Sequence, residues 1–301
     1  MTPPTDLRGR AAIVTGAGKG LGRAYAMHLA ACGAQVLVNN RRHAGEADAQ
    51  TSAQQTVDAI VAQGGMAQAN WHDVCAPDSG AALVAQALEH FGRLDIVVAN
   101  AGIDRASTFD KLGLEDFRAV FDTGFFGNLH LVHAAWPHLL RQGSGRVVLT
   151  TSSAGLYGNR GQSAYGAAKA AVIGLMRTLA IEGRRHGVLV NAIAPYGYSQ
   201  MTAPYLPQAA ATVFDPAHVA PLVGWLCSSQ CDVSGQVLVS GAGVVRRAGS
   251  GETQAHRIDP QAIADTVTGL LALPLHGHAS AADSFASLVR EQQQLDKDPS
   301  P

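Results

Sequence analysis

Tyr165 and Lys169 stand four residues apart in "GQSAYGAAKAAVIG" (161–174), a stretch otherwise built of Gly, Ala, Ser, Gln and small aliphatics. On a helix, positions i and i+4 lie one above the other on a single face, so phenol and ammonium reach the same point in space. A free phenol titrates near ~10 and is a poor proton exchanger at neutrality. An adjacent ammonium favours the phenolate and tunes the group toward acid/base work. Ser152, thirteen residues before the tyrosine in "TTSSAG", adds a hydroxyl that could steady charge on a reacting oxygen. Taken alone, a Tyr–Lys pair on a helix is a solvated surface pair; its meaning depends on what positions it.

The chain alternates short β-branched runs with longer amphipathic or Ala-rich segments. Strands are expected at Ala11–Thr15, Gln35–Asn39, Ala67–Trp71, Ile96–Asn100, Arg146–Thr151, Val188–Ala194 and Val237–Ser240. Helices are expected at Leu21–Ala31, Ala47–Gln63, Asp78–His90, Leu114–Arg141 and Tyr165–His186. Runs such as "IVVAN" are apolar on both faces, as strands of a parallel sheet covered by helices must be. The predicted fold is therefore α/β, a doubly wound parallel seven-stranded sheet of Rossmann type over residues 1–245. The pattern ends near Val244: "RRAGSGE" reads as a linker, Pro260–Leu271 as one more helix, and "QQQLDKDPSP" as a frayed tail, so 246–301 forms a small helical extension.

The first strand runs into "TGAGKGLG", Thr15–Gly22, and then into a helix. Glycines 16, 20 and 22 would let the backbone turn tightly, approach a pyrophosphate and pack helix on strand, while the helix N-terminus offers N–H donors. The position of this glycine cluster between strand and helix gives it weight.

The formal charge of -1 and pI near 6.9 exclude the basic excess of a nucleic-acid binder. The N-terminus "MTPPTDLRGR" lacks a signal-peptide core, and no apolar run suggests a membrane span, so a soluble, cytoplasmic protein is expected. Cys32, Cys75, Cys227 and Cys231 are scattered as reduced thiols would be. No metal site is expected: the helix-spaced Cys227 and Cys231 lack companion ligands, no HExxH occurs, and "HGH" at 276–278 reads as a polar turn.

TGxxxGxG at Thr15–Gly22, "NAG" at Asn100–Gly102, Ser152, and YxxxK at Tyr165–Lys169 occur in the order found in short-chain dehydrogenases/reductases, and residues 8–245 resemble that family throughout. "AAWPHL", "TTSSAGLYGNRGQSAYGAAK", "LAIEGRR" and "VAPLVGWLC" further resemble its (3R)-hydroxyacyl-CoA dehydrogenase units of multifunctional enzymes type 2 and their bacterial relatives. The resemblance implies Tyr165 as acid/base, Ser152 as hydrogen-bond partner of the substrate oxygen, and Lys169 on the nicotinamide ribose. It also implies Gly16, Lys19, Gly20, Leu21, Gly22, Asn100, Ala101 and Gly102 around the dinucleotide, Asp73 and Val74 beside adenine, Pro195 against nicotinamide, and a homodimer or homotetramer formed through the long helices beginning near Leu114 and Tyr165.

One departure stands out. Where the family carries "VNxxG", this chain reads "DTGFFGN", which puts Gly124 in place of Asn, with Asn128 one turn later. Asn128, or a water at the vacated place, is expected to substitute; otherwise proton relay is weakened, and a packing role for Gly124 alone is the plainer reading. After strand two, "VLVNNRRH" offers Asn40, Arg41 and Arg42 where NAD enzymes commonly place an acid. With Lys19 nearby, NADP is favoured over NAD. The segment Pro195–Phe214, with three tyrosines and Met201, reads as a lid over an apolar pocket. The expected function is NAD(P)-dependent interconversion of a secondary alcohol and a ketone on a bulky hydrophobic substrate, (3R)-hydroxyacyl-CoA-like by resemblance. A ketoreductase of secondary metabolism, a hydroxysteroid dehydrogenase and a non-catalytic dinucleotide-binding protein are the alternatives.

Overall fold

The computed structural model describes residues 5–43, 45–203, 207–257, 261 and 263–297. The chain runs β1 (Ala11–Thr15), α1 (Gly20–Ala31), β2 (Gln35–Asn39), α2 (Ser52–Ala62), β3 (Met66–Asn70), α3 (Ser79–Phe91), β4 (Ile96–Ala99), α4 (Leu114–Phe121), α5 (Gly127–Gln142), β5 (Gly145–Thr150), α6 (Ser153–Tyr157), α7 (Ser163–Arg184), β6 (Val188–Pro195), α8 (Ala210–Val213), α9 (Ala220–Leu226), β7 (Val237–Gly241), β8 (Val244–Ala248), α10 (Ile263–Leu271) and α11 (Ala281–Lys297). The sheet has the order β3-β2-β1-β4-β5-β6-β7-β8, and β1 to β7 pair in parallel. Every residue of β1, β4 and β5 is buried, as their apolar runs AAIV, IVVA and VVL require in a sheet covered on both faces. The strand order reverses between β1 and β4, and the crevice at that switch point, beyond the carboxyl ends of the strands, is where such sheets bind ligands.

Each expected strand lies within one residue of an observed one. The sheet, however, has eight strands where seven were expected. β7 turns back through Ala242 and Gly243, both with positive φ (51° and 75°), as a two-residue hairpin of primed type requires. A link that short permits only an antiparallel return, so "VVRRA" is an edge strand, and the expected linker begins later than Arg246. The strand was missed because its side chains are mostly exposed and carry no burial pattern.

Two expected helices are broken. Ala47–Gln63 resolves into a 3₁₀ turn at Asp48–Gln50 and α2, whose N-terminus Thr51 caps by accepting from Gln54 N. Leu114–Arg141 is α4 and α5 joined by a π-helical stretch, Asp122–Phe126, centred on Gly124. α6, α8, α9 and α11 had no counterpart among the expected helices.

The chain forms two compact units, 1–247 and 248–301. In the second, α10 and α11 accompany a short bridge between Glu252 and His276. Gln292–Lys297, expected to fray, are helical in α11; Asp298–Pro301 lie outside the described residues, as does Pro260 at the expected start of α10. His276 pairs with Glu252 through the backbone, while the His278 ring lies 3.3 Å from the Glu252 carboxylate. All four cysteines are free, and Cys32, Cys227 and Cys231 are buried. One correction concerns apolar length: α7 is long and apolar enough to cross a membrane by length and composition alone. It is a core helix of the first unit, packed on β5, β6 and α6, and it carries the residues of interest.

Candidate active site

β5 ends at Thr150, and Ser152 begins the turn into α6 with extended backbone, its Oγ accepting from Ala154 N at 3.2 Å. α6 then lies directly on α7. A Cβ on Gly155 would meet Lys169 C at 2.6 Å, and one on Gly166 would meet Ala154 O at 3.0 Å. Only residues without side chains permit this approach, which accounts for the small-residue composition of "SAYGAAK" and brings the Ser152 hydroxyl to the Tyr165 phenol. Thr151 Oγ1 donates to Lys169 O at 2.6 Å and locks α7 to the end of β5.

Tyr165 is half-buried, with the Lys169 ammonium 5.7 Å from its ring centroid. Its pKa is pushed up to about 12, first by burial, with the Asp104 carboxylate adding to the rise and a hydrogen bond from Ser152 opposing it. The sequence reading expected the lysine to pull this phenol down; in the chain by itself burial wins, because removing a phenolate from water costs more than its neighbours return. Lys169 is 2% exposed, and its pKa is pushed down to about 8 by burial. Its Nζ donates to Thr150 O at 2.9 Å, and a Cβ on Gly102 would stand 3.2 Å from it, so residue 102 must stay small.

The glycine turn fits a dinucleotide. Gly16 and Gly20 have φ of 62° and 53°. A Cβ on Gly22 would lie 2.2 Å from Gly16 O, and one on Gly18 would lie 2.3 Å from Ser52 Oγ. α1 is preceded by Lys19, which makes no side-chain cap, and has no acid in its first turn, leaving the first N–H groups and the positive end of the dipole to an anion. Asn100 joins three strand ends: its N and Nδ2 donate to Thr15 Oγ1 and Thr15 O at 3.0 Å each, and its Oδ1 accepts from Thr150 Oγ1 at 3.3 Å. Ala101 N also donates to Thr15 Oγ1. The three residues of "NAG" thus hold the crevice floor between the glycine turn and Lys169.

Beyond β2, Asn40 Nδ2 donates to Ser52 Oγ at 3.0 Å and packs beside Gly18. Arg41 is more than half exposed, with one ion pair to Asp73 at 3.7 Å. Arg42 is held by Asp48 at 2.5 Å and lies over the Trp71 ring at 4.8 Å. Asp73 accepts from Cys75 N, and Val74 packs against Gly127. Pro195 ends β6; the segment that follows lies on the glycine turn, with Gly197 against the Leu21 side chain and Ser199 Cβ at 3.2 Å from where a Cβ of Gly20 would stand. Tyr205, one of the three lid tyrosines, lies outside the described residues, as do Pro204 and Leu206. At the departure from the family pattern, Gly124 is buried, and Asn128 Nδ2 donates to Gly124 O at 2.8 Å and Ala101 O at 3.3 Å.

Sequence reasoning missed four residues that shape this region. Gly155 and Gly166 were visible only as composition, and their role needs the α6–α7 contact. Asp104 and Gln162, hydrogen-bonded to each other, lie 58 residues apart and carried no motif.

A switch-point crevice with a dinucleotide-fitting turn, and a serine, tyrosine and lysine gathered beside it, define the class: an oxidoreductase on a Rossmann-type sheet. Residues 10–209 match the short chain dehydrogenase family, and the chain belongs to that family. It is 43% identical to a short-chain type dehydrogenase/reductase of Mycobacterium tuberculosis over 242 residues, 79% of this chain and 84% of that protein. It is 42% identical to the peroxisomal multifunctional enzyme type 2 of Mus musculus over 245 residues, 81% of this chain and 33% of that enzyme, so it spans about a third of the mouse protein. A short chain dehydrogenase from Mycobacterium avium superimposes with a TM-score of 0.79 at 38% identity, covering 90% of this chain and 99% of that one. The chain is thus a short-chain dehydrogenase/reductase similar to the dehydrogenase unit of multifunctional enzyme type 2.

Proposed function

We propose that the chain interconverts a secondary alcohol and a ketone on a bulky hydrophobic substrate with NADP(H), a (3R)-hydroxyacyl-CoA being the nearest analogue. The observation that carries this reading is the gathering of Ser152, Tyr165 and Lys169 at the carboxyl ends of β4 and β5 beside the glycine turn. Bound there, a nicotinamide dinucleotide supplies or accepts the hydride. In reduction, Tyr165 gives its proton to the carbonyl oxygen while the Ser152 O–H donates to the same atom; oxidation reverses both. A phenol held near 12 is protonated at neutral pH, which is the form that ketone reduction consumes. Lys169, anchored at Thr150 O, holds a positive charge beneath the ring and is free to donate further to a ribose.

NADP(H) over NAD(H) is supported by the missing acid after β2 and by Arg41, whose exposed pair with Asp73 at 3.7 Å is of the weak kind a phosphate displaces. Arg42 is already held by Asp48 and Trp71. Arg41→Asp should therefore raise the NADPH Michaelis constant by roughly tenfold or more, the loss of one charge-assisted contact, without a matching rise for NADH. Exposed apolar side chains on the three segments that follow β4, β5 and β6, Phe109, Tyr157 and Tyr196, favour a large apolar substrate. The proposed assembly is a homodimer or homotetramer through the α4–α5 helix and α7, where Phe126, in the π-helical stretch before α5, and Ile181 are exposed; the proposed location is cytoplasmic. The test is to follow NADPH and NADH consumption with 3-oxoacyl thioesters, oxosteroids and aromatic polyketide ketones. Turnover of none of them would reject the reading and favour the non-catalytic alternative; turnover of the latter two alone would favour a steroid or secondary-metabolism reductase.

A further inference from the structure

Asp104 stands two residues past Gly102 on the loop that leaves β4. That loop runs beside the turn before α7: Ser107 bridges to Gln162, and Ser107 N donates to Gly161 O at 2.9 Å. Asp104 Oδ2 accepts from Gln162 Nε2 at 2.5 Å. Gln162 Oε1 accepts from Asn159 Nδ2 at 2.8 Å, which fixes the amide with its NH₂ toward Asp104. The second carboxylate oxygen, Oδ1, is buried and has no partner among the described residues, and the same is true of Ser163 Oγ on the adjoining residue of α7.

A carboxylate oxygen only accepts hydrogen bonds, and buried polar atoms of native proteins nearly always have a partner. Oδ1 therefore calls for a donor that the chain does not supply. The elements that hold Asp104, the loop after Gly102 and the turn leading into α7, are those that border Lys169 and Tyr165. The charge of Asp104 is also felt at the Tyr165 phenol. Phe109 (76%), on the same loop, and Tyr157 (75%), at the end of α6, are exposed. An anionic acceptor held by Gln162 and close enough to act on the phenol suits a substrate that carries a hydroxyl near the reacting carbon.

We infer that Asp104 Oδ1 receives the hydrogen bond of a substrate hydroxyl on the carbon next to the carbonyl or one further, so that the enzyme selects hydroxylated ketones over their deoxy counterparts. The inference rests on the ketone-reducing function proposed above and narrows it to polyfunctional ketones. Asp104 acts here as a specificity residue, with Gln162 positioning it.

The test uses the full chain saturated with NADP⁺, a dead-end complex in which ketones bind without turnover. Dissociation constants are measured by protein fluorescence for 1-tetralone and its 2-hydroxy and 3-hydroxy derivatives. At least one hydroxyketone should bind about tenfold tighter than the parent ketone, the ratio one hydrogen bond to a charged group gives. Asp104→Leu should bring that ratio to about twofold or less. Equal affinities in the wild-type chain, or a preference that survives Asp104→Leu, would overturn the role of Asp104; should the variant fail to fold, the wild-type ratios decide alone. Reduction of the same ketones with NADPH is followed separately. Absence of turnover with a retained Asp104-dependent preference rejects the reductase function and leaves the recognition role standing.

Discussion

Lys169 is the residue at which burial and function oppose each other most directly. Unfolded, a lysine holds its proton up to its ordinary 10.5; in the folded chain burial brings release down to about 8. Between those values the unfolded state binds more protons, so this group makes stability rise with pH from 8 to 10.5, and its penalty is fully present below 8. A shift of that size corresponds to roughly 3 kcal/mol. Lys169→Met should therefore stabilise the free protein at pH 7 by an amount of that order, with the gain shrinking toward pH 10.5, while turnover collapses. Denaturant midpoints of parent and variant at pH 7 and pH 10 check this; a variant less stable at pH 7 would mean that the bond to Thr150 O outweighs the buried charge. Gly124 is a second case at this scale. Asn128 already donates to the carbonyl of residue 124, and a Cβ at 124 would meet only Ala168 Cβ at 3.8 Å. Gly124→Asn should fit and change kcat by less than about threefold; a larger rise would show that the missing amide limits proton relay.

Between elements, the decisive contact is that of α6 on α7. Ser152 caps α6 and Tyr165 lies in α7, and their meeting depends on backbone approach at Gly155. Gly155→Ala would place a methyl group 2.6 Å from Lys169 C, and overpacking of this kind costs about 1–3 kcal/mol. The thermal midpoint should fall, and kcat should fall more than KM rises, because the hydroxyl is moved from the phenol while the outer pocket is untouched. Gly22→Ala, with its methyl 2.2 Å from Gly16 O, should abolish NADPH binding measured by nucleotide fluorescence. This scale also marks how far the sequence could be read. The strands and the glycine turn were legible because burial on both faces leaves continuous apolar runs and because tight turns demand glycine. Tyr165, Lys169 and Ser152 were legible from spacing and family pattern. The edge strand β8 was not, since its residues face solvent; nor was the break at Asp122–Phe126, which changes backbone register without changing composition. Asp104 and Gln162 escaped because their pairing spans 58 residues and no local rule couples them. The upward shift of Tyr165 escaped because burial at a point is a property of the folded surroundings.

Across the whole molecule, the buried core around β1 and α1 and its packed neighbours draw on residues from Leu7 to Leu238, all of them in the first compact unit. A chain ending at Ala248 should accordingly fold, unfold in one cooperative transition and bind NADPH within about threefold of the full chain. A truncated protein that fails to bind would assign the segment 249–301 a part in forming the crevice. The central claim remains the joint action of Tyr165 and Ser152 on one oxygen atom, with Lys169 held beneath the phenol. Its most direct test is Tyr165→Phe, which removes a single oxygen: kcat/KM for the best ketone should fall by about 10²–10⁴-fold, the range of general acid catalysis, with the dissociation constant for NADPH unchanged. Undiminished turnover in that variant would contradict the account.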